Sequence, residues 1–465
     1  MIANILKNSW LRLLIIPYIF FFILVFSYSS YSKSIPVSYW DEILWVGRSY
    51  FFEFFIHGDF HNRIWQSGEA YDQPKLAEYF YGAWLYPLYL ADKAKNPKPY
   101  DYTRFLIKNG FYEIDEYYNN TYTRYKNNSK VIKFDERMVG FPEEWVAKYG
   151  LDSLKPINLI YHARILNIFL LAGAVIIAYF LALQLGGIVF SAIFSIFYGY
   201  NSLIIGAGLK AHSEALFLFT LNAAILFMSL YFTKGRKVLY LLLFSLFSSL
   251  CMSTKLNGSF LFVIFIVSNI LIFIISKEKK IAHLLSGLIP VIIGLTIFVS
   301  LNPFTYPDPI KNIQYMFDSR SKTAVAQARE FRDASIPRGQ GVKKIFENFY
   351  FSEQSQYFNG IKIYEQLGSL KNYGIYLFVL FSLGIVYTLK LVFQKNVTAT
   401  VILCSIITIL AFMNYYLILD WGRYYAHLPL FFTLFQSFGL FSVIQYVLKY
   451  SKLLAKRPIN RARKK

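Results

Sequence analysis

What most limits the folds open to this chain is its recurring apolar runs of about 18 to 22 residues, each long enough to cross a bilayer as one helix. In hydrocarbon a backbone has to satisfy its own amides, and runs without strand alternation do so as helices. Such runs occupy residues 10 to 31, 158 to 183, 186 to 204, 213 to 232, 238 to 254, 258 to 276, 282 to 301, 373 to 393, 397 to 418 and 425 to 448. The expected fold is an all-α polytopic membrane protein, a bundle of about ten transmembrane helices. Two long loops interrupt it, residues 32 to 157 and 302 to 372.

Of the 465 residues, 56% are hydrophobic and 16% charged, as a lipid-embedded chain requires. The 38 Tyr, 46 Phe and 7 Trp suit interfacial belts and lipid-facing surfaces, so they name no ligand. A net charge of +21 would suggest nucleic acid in a soluble protein. Here much of it lies in short loops and a tail beside apolar spans, so the expected partner is anionic phospholipid at the cytoplasmic face, and no nucleic acid. Cys251 and Cys404 sit inside apolar segments, which argues against a disulfide framework or a thiolate metal site. SYSSYSKS, at the end of the first run, offers no A-x-A-like cleavage site, so that run is expected to stay as a span.

Lys and Arg near span ends are retained in the cytoplasm. An inside N terminus puts TKGRK (233 to 237), SKEKK (276 to 280), FQKN (393 to 396) and the tail KYSKLLAKRPINRARKK there together. The expected organisation is a cytoplasmic start and first span (1 to 31), a first extracytoplasmic loop (32 to 157), spans two to seven (158 to 301), a second extracytoplasmic loop (302 to 372), three last spans (373 to 448) and a basic cytoplasmic tail (449 to 465). The first loop is aromatic to residue 90, with GAWLYPLYL (82 to 90) as its best surface helix, and then turns into a small soluble insertion over 91 to 157. The second carries one amphipathic helix followed by a Pro/Gly turn. Sequons stand at Asn119 and Asn127.

The outer side also receives three short turns, IIGAGLKAHSEA (204 to 215), STKLNGS (253 to 259) and DWGRYYAH (420 to 427). Ionisable groups at membrane depth are costly and mark sites, and here nearly all the polar clusters share one side. In YWDEILWVGRSYFF (39 to 52), helical spacing puts Asp41 and Arg48 on one face, with Glu42 about a quarter turn away. They read either as a general base beside a phosphate-binding cation, or as an N-cap and a snorkelling arginine. Asp72, Gln73 and Lys75 in AYDQPKLAEY (70 to 79) read as a substrate-binding edge or, for Asp72 and Pro74, as capping. Lys210, His212 and Glu214 gather at a helix start, where Ser213 and Glu214 also suit the dipole. No other His stands at ligand spacing to His212, so no metal site is expected. Lys255 lies on the side where the positive-inside tendency would not place it, and a cation there calls for an anion such as a lipid phosphate. Arg423 makes the same case, with Asp420 as its alternative partner. Walker A, G-x-G-x-x-G and H-E-x-x-H patterns are all missing.

WDE after the first span, YDQPKL, Arg164 of HARILN, SE at 213 to 214, STKLNG, LNPFTYPDP (301 to 309) and WGRYYAHLP follow one another along most of the chain. In that order they resemble the GT-C superfamily of membrane glycosyltransferases, and most the dolichyl-phosphate-mannose protein mannosyltransferase-like family with its prokaryotic phospholipid-carrier-dependent members. The resemblance implies a GT-C-like bundle that moves a sugar from a polyprenyl-phosphate donor, dolichyl- or undecaprenyl-linked, to a hydroxyl of a protein, lipid or polysaccharide acceptor. The reaction would take place at the outer face of a prokaryotic plasma membrane. Asp41 would deprotonate the acceptor with Glu42 in support, and Lys255 and Arg423 would hold the carrier phosphate. Arg48 and Lys210 are further candidates for that phosphate, and Asp72, Gln73, Lys75, His212 and Glu214 for substrate. Gln73 and Lys75 depart from the family's H-P-P-L, Leu44 stands where aminoarabinose-transferring relatives carry Arg, and the second loop is too short for a β-trefoil. One-step displacement implies inversion at the anomeric carbon, by analogy with inverting glycosidases. A transporter of lipid-linked sugar would use the same cations without a base, and a membrane scaffold would need neither. Whether a divalent cation assists stays open.

Overall fold

The computed structural model describes residues 9–35, 37, 39–95, 101–109, 111, 155–276, 286–351 and 373–455. Among them the structure is helical, with one isolated antiparallel bridge between Ser335 and Leu419. Most of the 91 to 157 insertion with both sequons, most of SKEKK, residues 352–372 and the last ten positions lie outside the described residues.

The main helices are α1 (Ser9–Ser34), α2 (Tyr39–Gly47), α3 (Leu76–Lys93), α4 (Lys155–Gly199), α5 (Glu214–Thr233), α6 (Val238–Thr254), α7 (Phe260–Ser276), α8 (Ile289–Leu301), α9 (Pro309–Glu330), α10 (Tyr373–Phe393), α11 (Val397–Tyr416) and α12 (Pro429–Ala455). Seven of them, α1, α4, α5, α7, α10, α11 and α12, are long and apolar enough to cross a membrane, so the chain is a polytopic helical membrane protein. α6 and α8 are apolar but only 17 and 13 residues long. The runs at 158 to 183 and 186 to 204 fall mainly within α4, which is broken at Gly187 (φ 77°, ψ −172°), a conformation open to a residue without Cβ.

Two hydrophobic cores organise these helices. In the first, α4 packs against α1, α5 and α12, and α5 against α6, burying Tyr28, Leu171, Leu218, Phe244 and Phe431 completely. α10 and α12 run antiparallel at backbone contact. A Cβ on Gly384 would stand 1.8 Å from the Phe435 carbonyl oxygen, and one on Gly439 2.0 Å from that of Leu380. Such close approach between helices is what small residues allow in a membrane, where packing rather than hydrophobic exclusion holds helices together.

The second core caps the bundle, and it is aromatic. Tyr50, Phe51, Trp65, Tyr81, Tyr89 and Tyr102 of the first loop are buried together against Leu256, Phe298 and Met316. Phe51 stacks on Tyr50 at 4.6 Å and meets Trp65 at 5.0 Å, and each such pair adds about 0.5–1.5 kcal/mol beyond area burial. Part of the aromatic content read as interfacial belt is therefore the core of a cap. GAWLYPLYL lies in α3, whose Ala77, Tyr81, Leu85 and Tyr89, four residues apart, are buried in the cap, while Phe80, Trp84 and Leu90 are exposed.

Candidate active site

The candidate site lies at the seam between the two cores. α2 begins at Tyr39, which puts Asp41 and Glu42 in its first turn, where acidic groups suit the helix dipole. Neighbouring residues on a helix diverge by about 100°, and the two carboxylates go separate ways. Glu42 is fully buried and meets Arg164 as a fork, Nε donating to Oε1 and Nη2 to Oε2, both at 2.7 Å. The Ala211 amide donates to Oε1 at 2.7 Å, and Arg164 Nη1 donates to the carbonyls of Ser32 at 2.8 Å and Ile35 at 2.9 Å. Burial pushes the Glu42 carboxyl up, but the hydrogen bonds and charge of Arg164 outweigh it and hold it below its ordinary value. Both of its oxygens are occupied, so Glu42 has the geometry of a positioning residue that ties α2 to α4 and the turn before α5, and not that of a catalytic group.

Asp41, with its side chain 40% exposed, accepts a hydrogen bond on Oδ1 from Arg423 Nη1 at 2.9 Å, across 382 positions of sequence. It is not an N-cap. Asp420 is not the partner of Arg423 either: it binds Asn348 at 2.6 Å, Tyr425 at 2.8 Å and Lys344 at 3.1 Å. Lys255 Nζ donates to Glu214 Oε1 at 2.7 Å. Lys255 and Arg423 both stand over one ring, 5.9 and 5.6 Å from the centre of Tyr424. His212 Nδ1 lies 3.7 Å from Glu214 Oε2, and the ring feels the charges of Asp41, Glu42 and Arg423 as well. Its carbonyl accepts from Tyr81 Oη at 2.5 Å and Asn167 Nδ2 at 3.4 Å, and Asn167 Nδ2 also donates to the Lys210 carbonyl. Four segments distant in sequence thus bring Asp41, His212, Glu214, Lys255 and Arg423 together. Lys210 joins through its backbone, and its ammonium has no ion-pair partner among the described residues.

Arg48 belongs elsewhere. It opens the 3-10 turn that follows α2, about 10 Å along the axis from Asp41, and its Nη1 donates to Asp72 Oδ2 at 2.8 Å. The other Asp72 oxygen accepts from Arg320 Nη1 of α9 at 2.6 Å. Gln73, with its amide oxygen turned to the donors, accepts from Arg320 Nε at 3.2 Å and Nη2 at 3.0 Å. Burial pushes the Asp72 carboxyl up, but Arg48 and Arg320 outweigh it and bring it down to about 2. Lys75 is fully buried, donating to the Glu69 carbonyl at 2.7 Å and to Glu78 at 3.0 Å. Burial drives both members toward their neutral forms, Lys75 down and Glu78 up. Asp72, Gln73 and Lys75 therefore form a second polar cluster that fastens the two long loops together. Asp72 caps nothing, since α3 starts after Lys75.

Several residues of these clusters, Glu78, Tyr424 and Arg320 among them, carry roles that no motif in the sequence assigned. Glu78 is legible as the i,i+3 partner of Lys75, and Tyr424 lies inside WGRYYAHLP. Arg320 gives no signal, because an amphipathic helix offers several exposed cations alike. Among the described residues no group of three or more His, Cys, Asp or Glu is placed to hold a metal ion. Comparison of the chain with protein-family models and with curated proteins gives no match.

Proposed function

We propose that the protein is a GT-C-type glycosyltransferase that moves a sugar from a polyprenyl-phosphate donor to an acceptor hydroxyl at the outer face of a prokaryotic plasma membrane. The observation that carries this reading is the meeting of Asp41, Arg423, Lys255 and Glu214 at one end of the bundle. A carboxylate beside paired cations suits base-assisted attack with departure of an anionic phosphate. Both termini are then cytoplasmic. Counting the halves of α4 and the short α6 and α8 as crossings gives about ten helices.

In this mechanism the donor phosphate exchanges partners with the carboxylates. Arg423 and Lys255 turn to the phosphoryl oxygens, where they stabilise the charge that grows as the bond to the sugar breaks. Asp41 Oδ1, released from Arg423, takes the acceptor proton. Attack from the face opposite the phosphate inverts the anomeric carbon. The acceptor is a protein, lipid or polysaccharide hydroxyl.

Asp41→Asn tests the assignment. The variant retains the size and hydrogen bonding of the side chain, so donor binding persists while transfer falls by about 100-fold or more, read from donor consumption and from mass spectra of cell glycoconjugates. Unchanged transfer would sink the base assignment. Glycoconjugates identical with and without the protein would favour movement of a lipid-linked sugar over its transfer.

A further inference from the structure

One buried nitrogen in the site has nothing to bond to. His212 is 5% exposed, and its Nε2 has no hydrogen-bond partner among the described residues. The Glu214 Oε2 beside its other nitrogen has none either. A polar atom buried without a hydrogen bond costs free energy, so its retention calls for an explanation in a ligand or a role.

The backbone that carries the ring is held, and a carboxylate faces one of its nitrogens. Tyr81 and Asn167 bind the His212 carbonyl, and Glu214 faces Nδ1 at 3.7 Å. A carboxylate at Nδ1 favours the tautomer protonated there, which leaves the lone pair on Nε2. The charged groups around the ring are Glu214 on α5, Asp41 and Glu42 on α2 and Arg423 before α12. Lys255 stands behind Glu214, and Arg164 behind Glu42. Burial holds the imidazole below its ordinary value against the pull of the three carboxylates, so at neutral pH it is uncharged and able to accept a proton.

We infer that His212 is a second proton acceptor in the transfer step, taking from Asp41 the proton that Asp41 removes from the acceptor hydroxyl, with Glu214 stabilising the imidazolium. The inference rests on the transferase reading above. In the balanced step the acceptor oxygen bonds to the anomeric carbon, and the bond from that carbon to the phosphate oxygen breaks. Its electron pair leaves on the polyprenyl phosphate, which gains one negative charge. The hydroxyl proton passes to Asp41 and on to His212 Nε2, so the new cation offsets the new anion within one site. When Lys255 turns from Glu214 to the phosphate, Glu214 is left with the imidazolium as its counter-charge. The proton then departs with the released phosphate monoester or to water.

The test uses the full-length chain in native membranes, which supply the acceptor. Release of polyprenyl phosphate from a set of synthetic polyprenyl-phosphate hexoses is followed against pH for wild type, Asp41→Asn, His212→Gln and His212→Ala, with donor binding measured in parallel. Wild-type kcat should fall on the acid side, where Nε2 is filled before the step. Both His212 variants should bind donor normally, show the acid limb moved to lower pH, where protonation of Asp41 alone stops the step, and slow by about 100-fold, and added imidazole should restore part of the His212→Ala rate. A His212→Gln enzyme at the wild-type rate, or one slowed with its acid limb unmoved and no imidazole rescue of the alanine variant, overturns the relay. If the variants lose donor binding, the wild-type profile decides alone, and a kcat without an acid limb overturns it. Failure of the transferase reading looks different: no release by wild-type membranes, or release untouched by Asp41→Asn.

Discussion

Asp41 and Glu42 are adjacent on one helix, and the turn between them decides which stays buried. Glu42 points inward to Arg164, and Asp41 outward to Arg423. A buried ion pair adds little against an apolar substitute, but removing one member strands the other charge and costs about 3–5 kcal/mol. Glu42→Ala should therefore lower the melting temperature in detergent sharply, and Glu42→Ala with Arg164→Met should recover part of the loss. A Glu42→Ala protein that melts like wild type would remove the anchoring role. The presence of a carboxylate pair was legible in WDE, but its division of labour was not. Sequence spacing gives the angle between two side chains, not the identity of what waits at the end of each, and Arg164 lies 122 positions away.

At the scale of elements, the apolar runs announced their helices because length and composition settle that question locally. The cap was less legible. Tyr and Phe look alike in an interfacial belt and in a core, and the face of α3 that carries Ala77, Tyr81, Leu85 and Tyr89 at i,i+4 spacing is known to be buried only from the structure. The union of the two loops through Asp72, Arg48 and Arg320 could not be read at all, since it joins positions 248 apart. Asp72 is depressed relative to an unfolded carboxylate, so the stability it contributes is present above the unfolded value and is lost only as pH falls through about 2. Hydrogen exchange across α9 should therefore be governed by the same docked state from about pH 5 to 8, once the intrinsic pH dependence of exchange is removed. Asp72→Asn should raise α9 exchange several-fold at any pH in that window. Equal protection in the two proteins would show that the aromatic contact of Tyr71 with Tyr315, at 5.0 Å, suffices to hold the helix.

At the scale of the whole molecule, the proposed reaction needs the charge cluster to face outward, the direction expected from the positive-inside tendency. The native cysteines are buried, so single exposed cysteines can report sidedness with little background. Lys234→Cys, in the basic turn after α5, should react with an impermeant maleimide only after the membrane is opened. Ile310→Cys, 82% exposed at the start of α9, should react in intact cells. Reaction of both from one side would refute the topology and the outer-face chemistry with it. The backbone seam of α10 and α12 has a bearing on that chemistry as well. Gly439 lies ten residues into α12, about 15 Å from its start, and Arg423 sits just before that start. A slip of α12 by one turn, about 5.4 Å, would carry Arg423 out of reach of Asp41. The two glycines thus act as a fiducial mark, holding the alignment of a charge pair from deep in the bundle, and a methyl group added there would detune the site without altering any charged residue.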